Sequence, residues 1–450
     1  MNTLTKRAYV LLGIITAFLI GLILLAVSFF IHGGTWATSR ANGHLYAGGQ
    51  ITNAGKILDR NGVVLAESVN GKRKFHADAT MRKATLHVVG DQYGYIACGA
   101  HTVCRDQLIG YSRIEGIFNL VTEGEGDNVT LTVDANLNKI AYNALKGRKG
   151  CVGVYNYKTG EILCDVSAPS YDPTKKPADI ETNKKYDGVY MNRLLTGLFT
   201  PGSTFKLVTS AGAIENIPDI NTRTFNCTGA YTTKTGSKVI CNNKHGKLDF
   251  GKALTKSCNS TFAAIGVELG ADRLTKTVRA LGLCDSYNIS GVKTAKGRFD
   301  LSGAVEIDVG WAAIGQYTTL MNPLNMMMLA GAAANGGTTP VPYFVRSTLT
   351  DTVGSLKTVS KLKPETASVL RTMMRNNVIN NYGDKKFPNM SFGGKTGTAQ
   401  VEGEKSHAWF VGASMDANFP YAVVVVVQNG GGGSDEALSI ASTVMKALKG

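Results

Sequence analysis

Hydrophobic positions are distributed unevenly along the chain, with one long uninterrupted run near the N-terminus and shorter, periodic runs after it. Residues 8–31 contain no charged side chain, and a run of this length can cross a bilayer. Lys6 and Arg7 precede it, which favours a cytoplasmic N-terminus. The stretch from Phe29 to His32 offers no small-residue cleavage site. We therefore predict a cytoplasmic tip and single-pass membrane anchor over residues 1–31, with the rest of the chain extracytoplasmic.

The segment after the anchor is mixed in composition and partly rich in glycine. Residues 34–50 are polar and predict a linker. Between Gly55 and Ala66, two apolar stretches flank the sequence Asp-Arg-Asn-Gly, and Asn-Gly between apolar runs is a strong hairpin signal. Because no cluster typical of catalysis follows, we interpret residues 32–126 as a small N-terminal stalk or interaction domain.

From residue 127 onward, strand and helix patterns alternate, which indicates a larger domain over residues 127–450. Its terminal parts predict a strand, a helix and a hairpin, and later a second hairpin and a helix: 129–133, 135–145, 151–155 with 162–166, 407–413 with 421–428, and 435–448. We expect the two strand pairs to share one antiparallel sheet with helices on its faces. The predicted fold class is α/β, more strictly α+β.

The middle of this domain holds further helical runs and one long loop. Apolar periodicity predicts helices over 205–214, 254–269 and 326–334. The second run contains Ser257-Cys258-Asn259, and the third contains consecutive methionines, which we interpret as core filling. Residues 168–200 read as irregular, and loops of such length in compact domains are usually functional.

Charge and hydrophobic content narrow the function classes. With 450 residues and 44% hydrophobic content, the chain can bury a large core and form two extracytoplasmic domains. A net charge of +15 would suggest nucleic acid in a cytosolic protein, but the anchor argues against that partner. A solubilising surface charge explains the number, and anionic lipid headgroups or an anionic cell wall are the alternatives.

The eight cysteines permit disulfides without requiring them. Cys227 and Cys241 flank a turn-rich stretch and are candidates for a disulfide across a hairpin, with free thiols as the equal alternative. Cys98 and Cys104 bracket His101 at metal-like spacing, but no fourth ligand is near. We interpret that segment as a loop with a small disulfide or two free thiols, and we predict no metal site.

The candidate chemistry begins at Ser203, which follows Pro201-Gly202 at the start of a predicted helix. Lys206 lies three residues on and therefore on the same face. A serine hydroxyl that meets a lysine amine at a helix N-terminus is a potential nucleophile with its base. An N-capped helix with a surface lysine is the structural alternative. The same spacing occurs at Ser290 and Ser360, so spacing alone does not decide.

Two further elements follow in chain order, Ser257-x-Asn259 and Lys395-Thr396-Gly397. Ser286-x-Asn288 repeats the first, while Lys-Thr-Gly also occurs at Lys158 and Lys234. Those two lysines lie in hairpin turns, where Lys-Thr-Gly is ordinary turn chemistry. Lys395 instead follows two glycines and leads into strand-like sequence, where small residues let a ligand backbone lie alongside.

The order and surroundings of these three elements resemble those of the penicillin-binding proteins. Because there is one anchor and no glycosyltransferase-like segment, the chain is most similar to a short class B member. The resemblance covers nearly all of the chain after the anchor and includes these further segments: 55–66, 159–163, 169–173, 192–193, 315–316, 322–324 and 409–412. Departures from the family pattern are Ala54 for arginine, Asn138 for glutamine and Tyr317 for glycine.

The resemblance implies a penicillin-binding/β-lactamase-like transpeptidase domain that acts on peptides ending in D-Ala-D-Ala. Ser203 would attack the penultimate carbonyl, and Lys206, with a lowered pKa, would accept its proton. Ser257 would relay a proton to the departing D-Ala nitrogen. Asn259 would hold the substrate amide and help to fix Lys206.

The remaining roles implied by the resemblance concern charge stabilisation. Backbone N–H groups of Ser203 and Thr398 would form the oxyanion hole. Lys395, Thr396, Gly397 and Thr398 would bind the terminal carboxylate. An amine from a second stem peptide would then resolve the acyl-enzyme, with no cofactor or metal, and β-lactams would acylate the same serine.

Several alternatives stay open at this point. A D,D-carboxypeptidase differs only in using water as acceptor, and a non-catalytic penicillin-binding scaffold or sensor is a separate class. A class A β-lactamase is disfavoured because no Glu-x-x-x-Asn loop follows Ser203 in the chain. The resemblance implies a membrane-embedded SEDS-type glycosyltransferase as partner, and it leaves open whether the enzyme serves elongation, division or sporulation.

Overall fold

The computed structural model describes most of the chain. The described residues are 3–37, 46–47, 50–51, 54–111, 126–347, 350, 355, 357–431 and 434–450. The predicted linker over 34–50 and the predicted domains over 32–126 and 127–450 therefore lie partly outside the described residues.

Helices and strands alternate through the described chain. The α-helices are α1 Thr3–Ala37, α2 Ala79–Ala84, α3 Leu86–Val89, α4 Ala100–Val103, α5 Arg105–Leu108, α6 Ala135–Leu145, α7 Arg193–Thr196, α8 Lys206–Asn216, α9 Phe250–Thr255, α10 Asn259–Ala280, α11 Glu306–Ala313, α12 Pro323–Ala334, α13 Pro364–Asn377 and α14 Ser434–Lys449. Short 3-10 segments span Lys184–Tyr186, Gly202–Phe205 and Asp384–Lys386, and a π-helical turn spans Val378–Tyr382.

The strands are β1 Tyr46–Ala47, β2 Gln50–Ile51, β3 Ile57–Leu58, β4 Val64–Val69, β5 Lys72–Phe75, β6 Val129–Thr130, β7 Gly150–Asn156, β8 Ile162–Ala168, β9 Thr224–Cys227, β10 Ala230–Thr232, β11 Lys238–Ile240, β12 Gly246–Asp249, β13 Asn288–Ile289, β14 Val292–Lys293, β15 Thr338–Pro340, β16 Thr358–Ser360, β17 Phe392–Val401, β18 Glu404–Ser414 and β19 Tyr421–Val427. Most of them are short, and the long ones belong to a single sheet.

Helix α1 contains the uninterrupted apolar run. Its apolar side chains are exposed along its length, and its most apolar window has a mean hydropathy of 3.0. By length and composition this helix can cross a membrane, and among the described residues it is the one helix that meets this criterion. The predicted apolar helix is confirmed, although it continues past Ile31 to Ala37.

The segment before residue 126 contributes three strands of a small mixed sheet. Strands β3 and β4 form the predicted hairpin, with Asp59 Oδ1 accepting from the backbone N–H groups of Asn61 at 2.8 Å and Val63 at 2.9 Å. Strand β6 adds to β3 in parallel. The predicted strand over 129–133 is thus shorter than expected, because residues after Thr130 leave the ladder.

The central sheet has the strand order β17-β18-β19-β7-β8 and is antiparallel throughout. This confirms the prediction that the first and last hairpins share one sheet. Two buried clusters cover it: helices α6 and α14 pack in one, and α8, α10 and α12 pack in the other. Met326, Met327 and Met328 are fully buried in the second cluster, which confirms their role in the core.

The predicted helix over 254–269 is wrong at its start. Helix α9 ends at Thr255, and α10 begins at Asn259 after Ser257 adopts φ +51°. The break has a local cause, because the Cys258 sulfur caps α10 by accepting from the Thr261 N–H at 3.4 Å. The predicted end at Leu269 coincides with a non-helical Gly270.

The helix predicted over 205–214 begins as a tighter turn. Residues Gly202–Phe205 form a 3-10 turn that carries Ser203, and α8 starts at Lys206. The loop over 168–200 is mainly irregular, as predicted, and carries two short helical turns. The boundaries 1–31, 32–126 and 127–450 remain predictions.

Asn138, one of the departures from the family pattern, ties α6 to the sheet. Its buried amide donates to the carbonyl oxygens of Asp134 at 2.7 Å and Leu163 at 3.2 Å and accepts from Asp165 N at 3.2 Å. Each buried polar group left without a partner costs about 1–3 kcal/mol.

We expect Asn138→Ala to lower the free energy of unfolding by about 2 kcal/mol, because it leaves the Leu163 carbonyl and Asp165 N–H without these partners. Thermal unfolding of the full chain in detergent measures the effect. Asn143→Ala is the matched control, since Asn143 is exposed on the same helix and should change stability by less than about 0.5 kcal/mol. Equal effects of the two substitutions would contradict the assignment.

Candidate active site

Three separate elements bring their polar side chains together beside strand β17. Ser203 comes from the 3-10 turn, Ser257 from the break between α9 and α10, and Lys395 from the strand itself. Lys206 Nζ lies 3.1 Å from Ser203 Oγ and 3.1 Å from Ser257 Oγ. Lys395 Nζ lies 3.1 Å from the same Ser257 Oγ. The predicted Ser203, Lys206, Ser257, Asn259 and Lys395 are therefore in one cluster.

Lys206 is the centre of the cluster and is fully buried. Burial and, after it, the positive charge of Lys395 lower the pKa of Lys206 well below its ordinary value, while Cys241 and Cys258 act in the opposite direction. A buried ammonium is costly unless it is paired with an anion, and the four oxygen atoms that contact Lys206 Nζ are all neutral. The site therefore favours the neutral amine.

The acceptors around Lys206 also fix where its lone pair points. The Ser257 carbonyl at 2.6 Å and Asn259 Oδ1 at 2.7 Å can only accept. They take both N–H groups of a neutral amine, so its lone pair is left for a hydroxyl proton. Ser203 Oγ, at 3.1 Å, can donate that proton. This is the arrangement of a nucleophile with its general base.

Asn259 is held at both ends of its amide. Its Oδ1 accepts from Lys206, and its Nδ2 donates to the Ile240 carbonyl at 3.0 Å. The second contact identifies which end of the amide faces Lys206. It also links the site to strand β11.

Glycines let the Ser203 turn pack closely against β17. Gly202 has φ +52°, and a Cβ there would lie 2.4 Å from the Thr398 carbonyl. A Cβ at Gly397 would lie 2.7 Å from the Pro201 carbonyl. The backbones that carry Ser203 and Thr398 are therefore in direct contact, as an oxyanion hole built from both would require.

Tyr382 is a site residue that the sequence interpretation missed. Its hydroxyl lies 2.8 Å from Thr396 Oγ1 and accepts from Thr396 N at 2.9 Å. It comes from the π-helical turn after α13, and no motif marks it. Thr396 is buried under this contact, whereas Thr398 is exposed.

The cluster opens into a cleft of about 1040 Å³. Ser203, Ser257 and Asn259 line it together with Lys395, Thr396 and Thr398. Trp311 and Gln316 line the facing wall. The predicted catalytic and substrate-binding residues thus line one cleft, except the buried Lys206 and Gly397.

The repeated motifs have structural roles elsewhere. Ser290 Oγ accepts from the N–H groups of Phe344 and Val345, Ser286 Oγ donates to the Thr294 carbonyl, and Lys158 Nζ donates to the Ala417 carbonyl. The turn and strand contexts used in the sequence analysis therefore distinguished these repeats from the predicted site residues.

The cysteine predictions need one correction. Cys227 and Cys241 are free thiols rather than a disulfide. They do not face each other across one hairpin, because Cys227 ends β9, which pairs with β12, whereas Cys241 follows β11, which pairs with β10. At the other candidate, Cys98 and Cys104 are free, and His101 uses both ring nitrogens on Val89 O and Arg73 Nε.

Comparisons with known proteins agree with this geometry. The family model described as penicillin binding protein transpeptidase domain matches residues 150–448. The peptidoglycan D,D-transpeptidase PbpA of Mycobacterium tuberculosis is 28% identical over 323 residues, which is 64% of this chain and 64% of that protein. This chain therefore aligns with about two thirds of that relative's length.

Solved structures with the same fold include two that cover nearly all of the chain after α1. The D,D-transpeptidase domain of a peptidoglycan glycosyltransferase from Eggerthella lenta is 27% identical, with a TM-score of 0.74 over 88% of this chain and 98% of that one. The ceftriaxone acyl-enzyme of penicillin-binding protein A from M. tuberculosis has a TM-score of 0.76 at 23% identity, over 88% and 98% of the two chains.

A non-glycine residue in the left-handed conformation costs about 1–2 kcal/mol. We expect Gly202→Ala to lower the free energy of unfolding by more than this, because its Cβ would also clash with the Thr398 carbonyl. Gly403→Ala is the control, since Gly403 has φ +72° and open space around it. Thermal unfolding of both full-length variants tests the contact. If the two losses were equal, the turn and strand would not be packed as described.

Proposed function

The chain belongs to the penicillin-binding protein transpeptidase family, and from this premise we propose that it is a class B peptidoglycan D,D-transpeptidase. It would cross-link stem peptides through an acyl-enzyme at Ser203. One observation carries the proposal: a buried Lys206 whose amine contacts both serine hydroxyls at 3.1 Å. Strongly shifted pKa values are concentrated at functional sites, and the lowered pKa of Lys206 beside two serine hydroxyls suits a general base.

The acylation step uses the contacts in order. Neutral Lys206 takes the Ser203 proton as Oγ bonds to the penultimate D-Ala carbonyl carbon. Ser257 Oγ touches both Lys206 and Lys395, so it can pass a proton to the leaving D-Ala nitrogen as the peptide bond breaks. The products are the Ser203 ester and free D-Ala, and Lys206 is again neutral.

Charge is balanced by groups already in place. The backbone N–H groups of Ser203 and Thr398 stabilise the oxyanion, and loss of one such donor typically costs about 3 kcal/mol. Lys395, with the hydroxyls of Thr396 and Thr398, suits the terminal carboxylate. Because Gly397 has no side chain, the turn that carries Ser203 can approach the strand closely.

The second half-reaction transfers the acyl group to an amine. A neighbouring stem peptide's amine attacks the ester carbon, its proton passes to Lys206, and Lys206 returns a proton to Ser203 Oγ as the ester bond breaks. The D,D-carboxypeptidase alternative replaces this amine with water. The cleft of about 1040 Å³ has room for a peptide acceptor beside the donor.

The cellular location and the binding partners are inferred from helix α1 and from the family. We propose that α1 anchors the chain in the cell membrane with its N-terminus in the cytoplasm and the catalytic domain outside, since Lys6 and Arg7 precede it. Peptidoglycan and β-lactams are then the ligands, with no role for nucleic acid. A SEDS-type glycosyltransferase would be the membrane partner.

Cross-linking is tested on the full-length chain with cross-linkable peptidoglycan. We expect dimeric muropeptides from the wild type and from Ser360→Ala, which changes an exposed serine of the same Ser-x-x-Lys spacing. Ser203→Ala should form no dimers and should not be labelled by a fluorescent penicillin, because it lacks the nucleophile. Trimmed monomers alone would identify the carboxypeptidase, and labelled Ser203→Ala would overturn the assignment of the nucleophile.

The pH dependence of penicillin labelling tests the role of Lys206. Because burial lowers the pKa of Lys206 well below its ordinary value and so favours the neutral amine, the labelling rate should fall as acid protonates it. Removing the Lys395 charge raises the pKa of Lys206, so in Lys395→Gln the acid limb should move to higher pH. A limb that stayed in place, measured as rate constants across pH, would argue that Lys206 is not the base.

A further inference from the structure

A second cluster of reactive side chains lies directly behind the catalytic one. It consists of Cys227, Cys241, His245 and Cys258, and the transpeptidase mechanism uses none of them. Their three sulfur atoms and one imidazole nitrogen all lie within 4.8 Å of one another. The three cysteines are buried and His245 is half-buried, so the donor atoms converge in the protein interior beside the cleft.

The spacing of the donors is that of a tetrahedral metal site. Zinc binds sulfur at about 2.3 Å and imidazole nitrogen at about 2.0–2.1 Å. A tetrahedron of those bonds has sulfur–sulfur edges of about 3.8 Å and sulfur–nitrogen edges of about 3.6 Å. The observed Cys241–Cys258 sulfur distance is 3.8 Å, and His245 Nδ1 lies 3.5 Å from Cys241 and 3.6 Å from Cys227.

These distances do not describe disulfides. A disulfide bond is about 2.05 Å long, whereas the Cys241 and Cys258 sulfur atoms are 3.8 Å apart and all three cysteines are free. Three cysteines also cannot pair completely. A soft donor set of three thiolates and one imidazole with tetrahedral spacing selects zinc among the common divalent ions.

The protein also places hydrogen-bond donors around the Cys258 sulfur, as a thiolate requires. The Cys258 sulfur accepts from Thr261 N at 3.4 Å and from Thr261 Oγ1 at 3.2 Å. Such contacts hold metal ligands in orientation.

We propose that Cys227, Cys241, His245 and Cys258 bind one Zn²⁺ ion, with the three thiol protons released to solvent. The ion joins the ends of β9 and β11 and the start of β12 to the first turn of α10. Cys258 stands between Ser257 and Asn259, so the ion fixes the strained break that presents both to Lys206. The bonds from Asn259 to Ile240 and from Ser260 to Ala230 tie the same parts together. These four residues are positioning residues, and the proposal goes beyond the transpeptidase assignment.

Metal analysis of the full-length chain, purified in detergent under reducing conditions with zinc supplied, tests the site. We expect about one zinc per chain. Loss of a hydrogen-bond partner of a metal ligand typically lowers metal affinity by about 10- to 100-fold. Cys227→Ser and His245→Ala each remove a ligand itself, so each should lower zinc affinity by more than that. Cys284→Ser is the matched control and should keep the full zinc content, because Cys284 lies outside the cluster.

Cobalt substitution of the wild type gives a readout that needs no variant to fold. Co²⁺ bound to three thiolates should give intense thiolate-to-metal absorption and a tetrahedral visible spectrum. Ser203→Ala should bind zinc as the wild type does, so failure of the transpeptidase assignment would leave this result unchanged. A wild-type chain that takes up neither ion, a disulfide between two of the three cysteines found by peptide mapping despite supplied zinc, or equal zinc loss in Cys284→Ser would overturn the proposal.

Discussion

The chemistry of this protein depends on one buried amine that has no anionic partner. Lys206 is fully enclosed, and its neighbours are two hydroxyls, one carbonyl and one amide oxygen. Since a charged lysine would be costly there, the same burial that keeps the amine neutral leaves its lone pair available to accept the Ser203 proton. Ser257 and Asn259 each present an oxygen atom to this amine, and Lys395 contacts the same Ser257 hydroxyl.

The central sheet supplies the rigid side of that enclosure. Strand β17 is an edge strand, paired on one side with β18, and its other side borders the Ser203 turn and the cleft. Glycines at 202 and 397 let the turn approach to the distance at which only backbone fits. An edge with free backbone groups is also a surface to which an extended peptide can add as a further strand. In the proposed reaction, Lys395 and Thr398 on this edge would therefore orient the substrate beside the Ser203 nucleophile.

The sequence was sufficient for the sheet and for most of the site. The continuous apolar runs of β18 and β19 and the apolar period of α6 and α14 reflect their burial in the core, so they predicted the shared sheet. The three motifs could be separated from their repeats because turn and strand contexts differ. Tyr382 could not be found, since its role depends on the end of α13 reaching Thr396, which is a contact between residues distant in sequence.

Cysteines explain both the wrong start of the helix predicted over 254–269 and the absence of the Cys227–Cys241 disulfide. Apolar periodicity treats cysteine as a hydrophobic residue, so it extended one helix from Leu254 through Cys258. In the structure the Cys258 sulfur acts as a polar acceptor that starts α10, and Ser257 is thereby turned out of the helix toward Lys206. The disulfide between Cys227 and Cys241, to which free thiols were the equal alternative, is not formed, because β9 and β11 belong to different hairpins. Near the start of α10, the sulfur atoms of Cys227, Cys241 and Cys258 instead lie close to His245. Cys258, which starts α10 just after Ser257, is therefore also the residue through which the proposed zinc ion would join α10 to β9 and β11.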